Sequence, residues 1–235
     1  DQVVSGVVEA GVMALENSIA GSIIPNYALI DRYDLHITAE AYIRIEHQLM
    51  ALPGTRLADL NEVASHPMAL LQCKDFFATQ PHIKLIEDAD TAEVAQRIAK
   101  QQIPGLGAIA SKKAAQLHGL EVVASDIHSI ANNATRFVVV QKDAQAEDRQ
   151  NNKASLKFLL DHKRGSLAAV LNVLSDCKLN LTKIQSMPVT DTPWKYSFFV
   201  DITFEDYTHY EKALQVMAIM TESFKVLGTY TNKLN

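Results

Sequence analysis

Ile130-Ala131-Asn132-Asn133-Ala134-Thr135-Arg136-Phe137 runs directly into Val138-Val139-Val140. A phenylalanine followed by three valines makes a strand too apolar to lie at a surface. Small polar residues stand at its mouth, so a hydroxyl and a guanidinium sit at the end of a buried strand. Open α/β sheets place their chemistry at such junctions. Asn132 and Asn133 would suit a turn on their own. Thr135 and Arg136, polar at the edge of a buried strand, are harder to explain as structure alone.

Working outward, a second polar run, Leu15-Glu16-Asn17-Ser18-Ile19-Ala20-Gly21-Ser22, follows the short apolar run 12–15. Glu16, Asn17 and Ser18 supply in succession an acid or base, an amide and a hydroxyl. The small residues after them let backbone come close to a ligand. A strand-to-helix turn capped by Asn17 or Ser18 explains the same residues equally well. The third cluster, Ser65-His66-Pro67 with Gln72 one to two turns on, opens a helix. Ser65 or His66 can cap that helix and Pro67 suits its first turn, so taken alone this cluster reads as structural. Together the three look like one site built by several loops.

Between residues 11 and 142 short apolar runs alternate with helical patterns. Strands are expected at 12–15, 35–45, 62–64, 83–87, 106–110 and 137–141. Helices are expected at 67–79, 91–102 and 111–118, with Thr91 and Ser111 as N-caps. Such alternation argues for parallel sheets covered by helices. Residues 143–152 carry charges and no apolar period, which reads as a linker. Beyond it come a strand at 154–160, a helix opened by Gly165-Ser166, a strand at 181–189 and a turn at 190–193. A strand at 196–204, a helix at 207–223 and a last strand at 226–230 complete the chain. The order β-α-β-β-α-β is ferredoxin-like. A unit of that size is small for an independent core and leaves sheet edges open, so at least a homodimer is expected. The chain starts at Asp1 in what reads as the end of a helix (Val3, Val4, Val7, Val8), which points to further sequence upstream.

The 235 residues are 48% hydrophobic and 21% charged, a globular balance. A net charge of -5 argues against the basic face that nucleic-acid binding needs. No apolar run approaches the ~20 residues of a membrane helix, and nothing at the start reads as a signal peptide. Cys73 and Cys177 have no partner spacing and read as reduced thiols of a cytoplasmic protein. The 8 histidines are scattered, with no ligand pair on a helix face and no cysteine cluster, so no metal is expected. Neither a Gly-x-Ser-x-Gly elbow nor a phosphate-cradling loop is present. From the residues alone the reading ends at a hydroxyl- and amide-lined ligand site with neither metal nor nucleotide.

The ordered set Glu16-Asn17-Ser18-Ile19-Ala20-Gly21-Ser22, Ser65-His66-Pro67…Gln72-Cys73, Ala108-Ile109-Ala110-Ser111 and Asn133-Ala134-Thr135-Arg136-Phe137 resembles prephenate dehydratases. Gly165-Ser166-Leu167 and Asn180-Leu181-Thr182-Lys183-Ile184 are similar to the ACT regulatory domain attached to them. The resemblance implies an α/β catalytic region over residues 1–145, two-lobed like a periplasmic binding protein, with its site in the cleft. Lobe 1 would take about 1–32 and 125–145, lacking part of its N-terminus, and lobe 2 about 35–120. An α+β ferredoxin-like ACT domain would follow at 153–235.

The same resemblance implies a lyase that converts prephenate to phenylpyruvate with loss of water and carbon dioxide, in phenylalanine biosynthesis, without a cofactor. Thr135 would donate to the departing hydroxyl, with Glu16 and Asn17 completing the catalytic set. Ser18, Ser65, Gln72, Arg136 and Phe137 would bind substrate, Arg136 serving equally well as an ion-pair partner. Gly165, Ser166, Leu167, Asn180, Leu181, Gln185 and Ser186 would receive an amino-acid effector, phenylalanine, in a homodimer or homotetramer. A non-catalytic two-lobed ligand sensor is the rival reading, and a periplasmic solute-binding protein a third. Two departures stand out. The family's opening Gly-Pro-x-Gly-Thr segment has no match here, and its Glu-Ser-Arg-Pro stretch appears as Gln185-Ser186-Met187-Pro188.

Overall fold

The computed structural model describes residues 1–235 except Gln145, Glu147, His162, Thr190, Asp191, Pro193 and Asn235. In chain order, β1 (Ala10–Asn17) and β2 (Gly21–Ser22) precede α1 (Ile24–Arg32), β3 (His36–Arg44), β4 (Gln48–Ala51) and β5 (Glu62–Ser65). Next come α2 (Pro67–Gln72), α3 (Lys74–Ala78), β6 (Lys84–Glu87), α4 (Thr91–Gln101), β7 (Leu106–Ala110), α5 (Lys112–His118) and β8 (Glu121–Ala124). The remainder is β9 (Ala134–Gln141), β10 (Lys153–Leu159), α6 (Ser166–Asp176), β11 (Asn180–Pro188), β12 (Tyr196–Thr203), α7 (Tyr207–Met220) and β13 (Ser223–Tyr230). Of the expected turn at 190–193 only Thr192 is described; the expected linker at 143–152 is described except at Gln145 and Glu147. Among the described residues no helix is long and apolar enough to cross a membrane.

The chain divides into two compact units, one of Asp1–Asn17, Gly21–Ile43 and Thr135–Asn235, the other of Ser18–Ala20 and Arg44–Ala134. In the second unit a sheet runs in the order β6-β5-β7-β4-β8. β5 is parallel to β6 and β7, as expected of strands joined through helices. β4 is antiparallel to β7 and β8. The period of the sequence hid β4: Gln48, Leu49, Met50 and Ala51 are all buried, so the strand shows no alternation.

Helices in this unit correct two further expectations. The single helix at 67–79 is two, broken at Cys73, whose φ of -108° and ψ of 12° leave the helical region. Cys73 lies in the core, and burial pushes its thiol up to about 12. The cap of α4 is Asp90, not Thr91: Asp90 Oδ1 accepts from the backbone N–H of Ala92 at 2.7 Å and of Glu93 at 2.9 Å. Ser111 caps α5 as its position suggests, accepting from Ala114 N–H at 3.3 Å.

The first unit holds two sheets. In one, of order β2-β1-β9-β3, β1 is antiparallel to both its neighbours, where parallel pairing is expected from the sequence. The helix end expected before β1 is a run of turns and bends. β3, expected in the second lobe, lies beside β9 and belongs to the first unit up to Ile43. The other sheet, β11-β12-β10-β13, is antiparallel throughout and carries α6 and α7 in the β-α-β-β-α-β order.

These two sheets share a core. Leu15, Ile30, Ile37, Val138 and Val140 form one buried cluster with Phe199, Leu227 and Tyr230. A bulge between β10 and β13 makes room for this packing: Ser155 pairs Gly228 and Leu156 pairs Val226, leaving Leu227 as the extra residue. Gly228 then lies so close to β3 that an added Cβ would stand 1.9 Å from the Ile37 carbonyl oxygen. Only glycine fits there.

Candidate active site

In the first unit, β1 and β9 pair so that Glu16 faces Arg136 and Asn17 faces Thr135. The register shifts between Ala14 and Glu16, which sends Leu15 into the core. Thr135 is 8% exposed, and its Oγ1 lies 3.0 Å from Asn17 Nδ2, which donates to it. A hydroxyl whose oxygen accepts from an amide still has its own proton to direct elsewhere.

Arg136 points the other way. It is 1% exposed and takes its partners within its own unit. Its Nε donates to Glu40 Oε2 at 2.7 Å and its terminal nitrogens to Tyr230 OH at 2.7 Å, to Glu16 Oε1 at 3.4 Å and to Asp201. Lys153 Nζ joins Glu40 at 2.8 Å and Tyr42 OH at 3.1 Å; Ser155 donates to Asp201 and meets Tyr230 OH at 2.6 Å. Lys183 of β11 holds the second carboxylate oxygen of Glu16.

The three cations Arg136, Lys153 and Lys183 thus meet the three carboxylates Glu40, Asp201 and Glu16. Burial works against the Arg136 charge, but Tyr230, Asp201 and Glu40 outweigh it and hold the guanidinium more firmly protonated than usual. Burial, with Asp201 beside it, pushes the Tyr230 phenol well up, so it stays neutral and can donate or accept. A network balanced in charge and hydrogen-bonded can be carried in a core.

The second unit carries the remaining candidates. Ser65 is 0% exposed and donates to the Ile109 carbonyl at 2.9 Å, tying β5 to β7. His66 Nδ1 accepts from Met68 N–H at 3.2 Å and caps α2. Gln72, half-buried at the end of α2, accepts on Oε1 from Asn133 Nδ2 at 3.0 Å, and the same oxygen meets His47 Nε2 at 2.7 Å. Ser18 Oγ accepts from Ala134 N–H at 2.9 Å and reaches Asn133 Oδ1 at 3.3 Å. His47 is buried, which pushes its imidazole down from its ordinary value against the partial support of Gln72.

The family model for prephenate dehydratase matches residues 1–145. The chain belongs to the prephenate dehydratase family. An arogenate dehydratase/prephenate dehydratase of Arabidopsis thaliana is 35% identical over 238 residues, covering 95% of this chain and 61% of its own length. A bifunctional chorismate mutase/prephenate dehydratase of Escherichia coli is 31% identical over 235 residues, covering 99% of this chain and 61% of its own. The chain therefore spans about three fifths of the length of these curated relatives.

Among solved structures, a prephenate dehydratase from Arthrobacter aurescens in complex with L-Phe superposes with a TM-score of 0.87 at 26% identity, covering 98% of this chain and 77% of its own. GqqA, described as a novel type of quorum-quenching acylase, gives a TM-score of 0.88 at 27% identity, covering 99% of this chain and 85% of its own.

In this prephenate dehydratase relative the residues expected to hold an effector do not all come together. Gly165, with φ of +86°, precedes α6, and Ser166 Oγ donates to the carbonyls of Lys163 at 2.9 Å and Asp161 at 3.0 Å. Ser166 and Leu167 line a small depression with Lys163, Tyr196 and Phe198. Ser186 pairs Phe198 and so lies at that end of β11, with Gln185 next to it. Asn180 pairs Thr203 at the other end, with Leu181 beside it, and Asn180 lines a different depression. At about 3.3 Å per residue, the two ends of this set lie roughly 20 Å apart along the strand.

Several residues of the site escaped the sequence reading: Glu40, His47, Lys153, Lys183, Asp201 and Tyr230. A signal existed for Asp201, a single carboxylate inside Phe198-Phe199-Val200-Asp201-Ile202-Thr203-Phe204. An acid at a buried position of an apolar strand needs a cation, and Arg136 is one.

Proposed function

We propose that this chain converts prephenate to phenylpyruvate, carbon dioxide and water. The hydrogen bond from Asn17 to Thr135, in a member of the prephenate dehydratase family, is the observation that carries the reading. Prephenate is a dicarboxylate with a ring hydroxyl opposite a quaternary carbon. The bond from that carbon to its carboxylate breaks and its electron pair enters the ring. The C–O bond opposite breaks in turn, and the departing hydroxide takes a proton. The ring becomes aromatic, so the driving force lies in the substrate. One proton is taken up per turnover as a dianion gives a monoanion.

In this reading Thr135 gives that proton. Asn17 donates to its oxygen, which fixes the rotor and makes the hydroxyl a better donor; a positioned proton donor contributes about 10²–10⁴-fold. Glu16, held by Arg136 and Lys183, keeps β1 in register beside Asn17. Ser18, Gln72 and Phe137 stay as substrate-binding residues, while Ser65 and Arg136 support them from within their own units.

Residues 153–235 would act as an ACT domain behind a catalytic region of residues 1–145. An amino acid, phenylalanine, would place its carboxylate at the N-terminus of α6, near Gly165 to Leu167. The antiparallel β-α-β-β-α-β arrangement and the likeness to a relative solved with L-Phe support this. A cytoplasmic homodimer or homotetramer completes the reading. Incubation with prephenate, followed by the absorbance of the phenylpyruvate enolate in alkali, tests it. Turnover that requires Thr135 is expected; tight binding of prephenate without turnover would favour the ligand-sensor alternative.

A further inference from the structure

Gln72 sits at the centre of a chain of side-chain hydrogen bonds that joins Ser18, Asn133 and His47. Ala134 N–H can only donate, and it donates to Ser18 Oγ at 2.9 Å. The Ser18 proton therefore goes onward, to Asn133 Oδ1 at 3.3 Å and the Asn132 carbonyl at 3.4 Å. With its oxygen facing Ser18, Asn133 presents its amide nitrogen to Gln72, 3.0 Å away. Gln72 answers with its carbonyl oxygen, and His47 Nε2 lies 2.7 Å from that same oxygen, where the Nε2–H tautomer donates to it.

Both supports are built in. His47 is 6% exposed and Asn133 is 2% exposed. His47 is placed in turn by its backbone N–H, 3.5 Å from His128 Nδ1. Gln72 is clamped on its main chain too, its carbonyl accepting from Ser129 N–H at 2.8 Å. The one part of Gln72 that takes no partner among the described residues is the amide nitrogen, which is not sealed from solvent. A glutamine held only at its oxygen offers two donors and no acceptor.

We propose that His47 and Asn133 are positioning residues that lock Gln72 with its amide nitrogen turned toward the ligand, so that Gln72 reads an acceptor oxygen of the substrate, a carboxylate or keto group. This rests on the dehydratase reading for the ligand's identity, but not for the orientation of the amide. A flipped amide would meet the same oxygen with its own carbonyl and repel it.

The test uses the full chain with prephenate, in parallel with ¹⁵N-edited spectra of the Gln72 side-chain amide. His47→Phe is expected to raise KM about tenfold, the effect of one hydrogen bond to a charged group, with kcat little changed. The Gln72 amide resonances should shift or broaden in the same variant. His47→Gln, which can put an amide nitrogen near the place of Nε2, should restore both. Gln72→Glu replaces only the outward donor and should raise KM further. Unchanged KM and unchanged Gln72 resonances in folded His47→Phe overturn the proposal, as does failure of His47→Gln to restore either. Absence of turnover in the unmodified chain would instead remove the dehydratase reading, and the resonances would still decide the amide's orientation.

Discussion

Asn17 and Thr135 close the paired ends of β1 and β9 with a side-chain hydrogen bond of 3.0 Å. The pair lies one residue from Glu16 and Arg136, so the proposed proton donor sits on the rim of a buried, charge-balanced network. Removing the hydroxyl should therefore abolish chemistry without disturbing the fold. Thr135→Ala is expected to lower kcat at least about a hundredfold with an unchanged melting temperature. Asn17→Ala should cost less, and the double variant little more than Thr135→Ala, because both act through one oxygen. Additive losses would separate the two roles.

Arg136 behaves differently although it is the next residue. Its replacement by Met leaves Glu40 paired with Lys153 and takes the guanidinium away from Asp201, which is buried too. Loss of one partner from a buried ion pair costs about 3–5 kcal/mol. Arg136→Met should lose stability in urea on that scale. Arg136→Lys should recover little, since an ammonium cannot span Glu40, Asp201 and Tyr230 at once.

The contrast between these neighbours marks how far the sequence could be read. The strand ending at Val140 was legible from its apolar run, and so was the polar mouth before it. Which of Thr135 and Arg136 faces outward was not, because that depends on the bulge at Leu15 and on Asp201, 65 residues away. β4 was lost for the opposite reason: burial on both faces removes the alternation that announces a strand. The β-α-β-β-α-β order was readable element by element. Its shared core with β3 and β9 was not, since a glycine in Leu227-Gly228-Thr229 does not say what approaches it. That Ser65 also ties β5 to β7, and that His47, one of the scattered histidines, meets Gln72, depends on pairings the local sequence does not carry.

His47 gives the stability a pH dependence of known sign. Burial, the largest influence, lowers its imidazole below the ordinary 6.5 in the folded chain, and His128 lowers it further, against Gln72. The unfolded chain therefore binds the proton first as pH falls. The stability contributed by neutral His47 is complete above about 6.5 and declines as pH drops from there toward the folded value. Urea midpoints between pH 7.5 and 5 should fall in the unmodified chain and fall less in His47→Gln. Equal slopes for both would assign the decline to other groups.

Gly228 offers the sharpest structural test, because the obstacle is backbone. A Cβ at this position would stand 1.9 Å from the Ile37 oxygen and 2.7 Å from the Ile37 carbonyl carbon, where no flexible side chain can yield. Gly228→Ala must push β13 away from β3, opening the cluster that holds Leu15, Ile37, Phe199 and Leu227. Overpacking of this kind costs about 1–3 kcal/mol, and the backbone character of the clash puts it at the upper end. The displacement should also strain the bonds from Arg136 to Asp201 and Tyr230, which join the same two layers. A lower urea midpoint, together with loss of amide protection in β3 and β13, is the expected result. A substitution tolerated without either change would mean that the two sheets do not meet at Gly228.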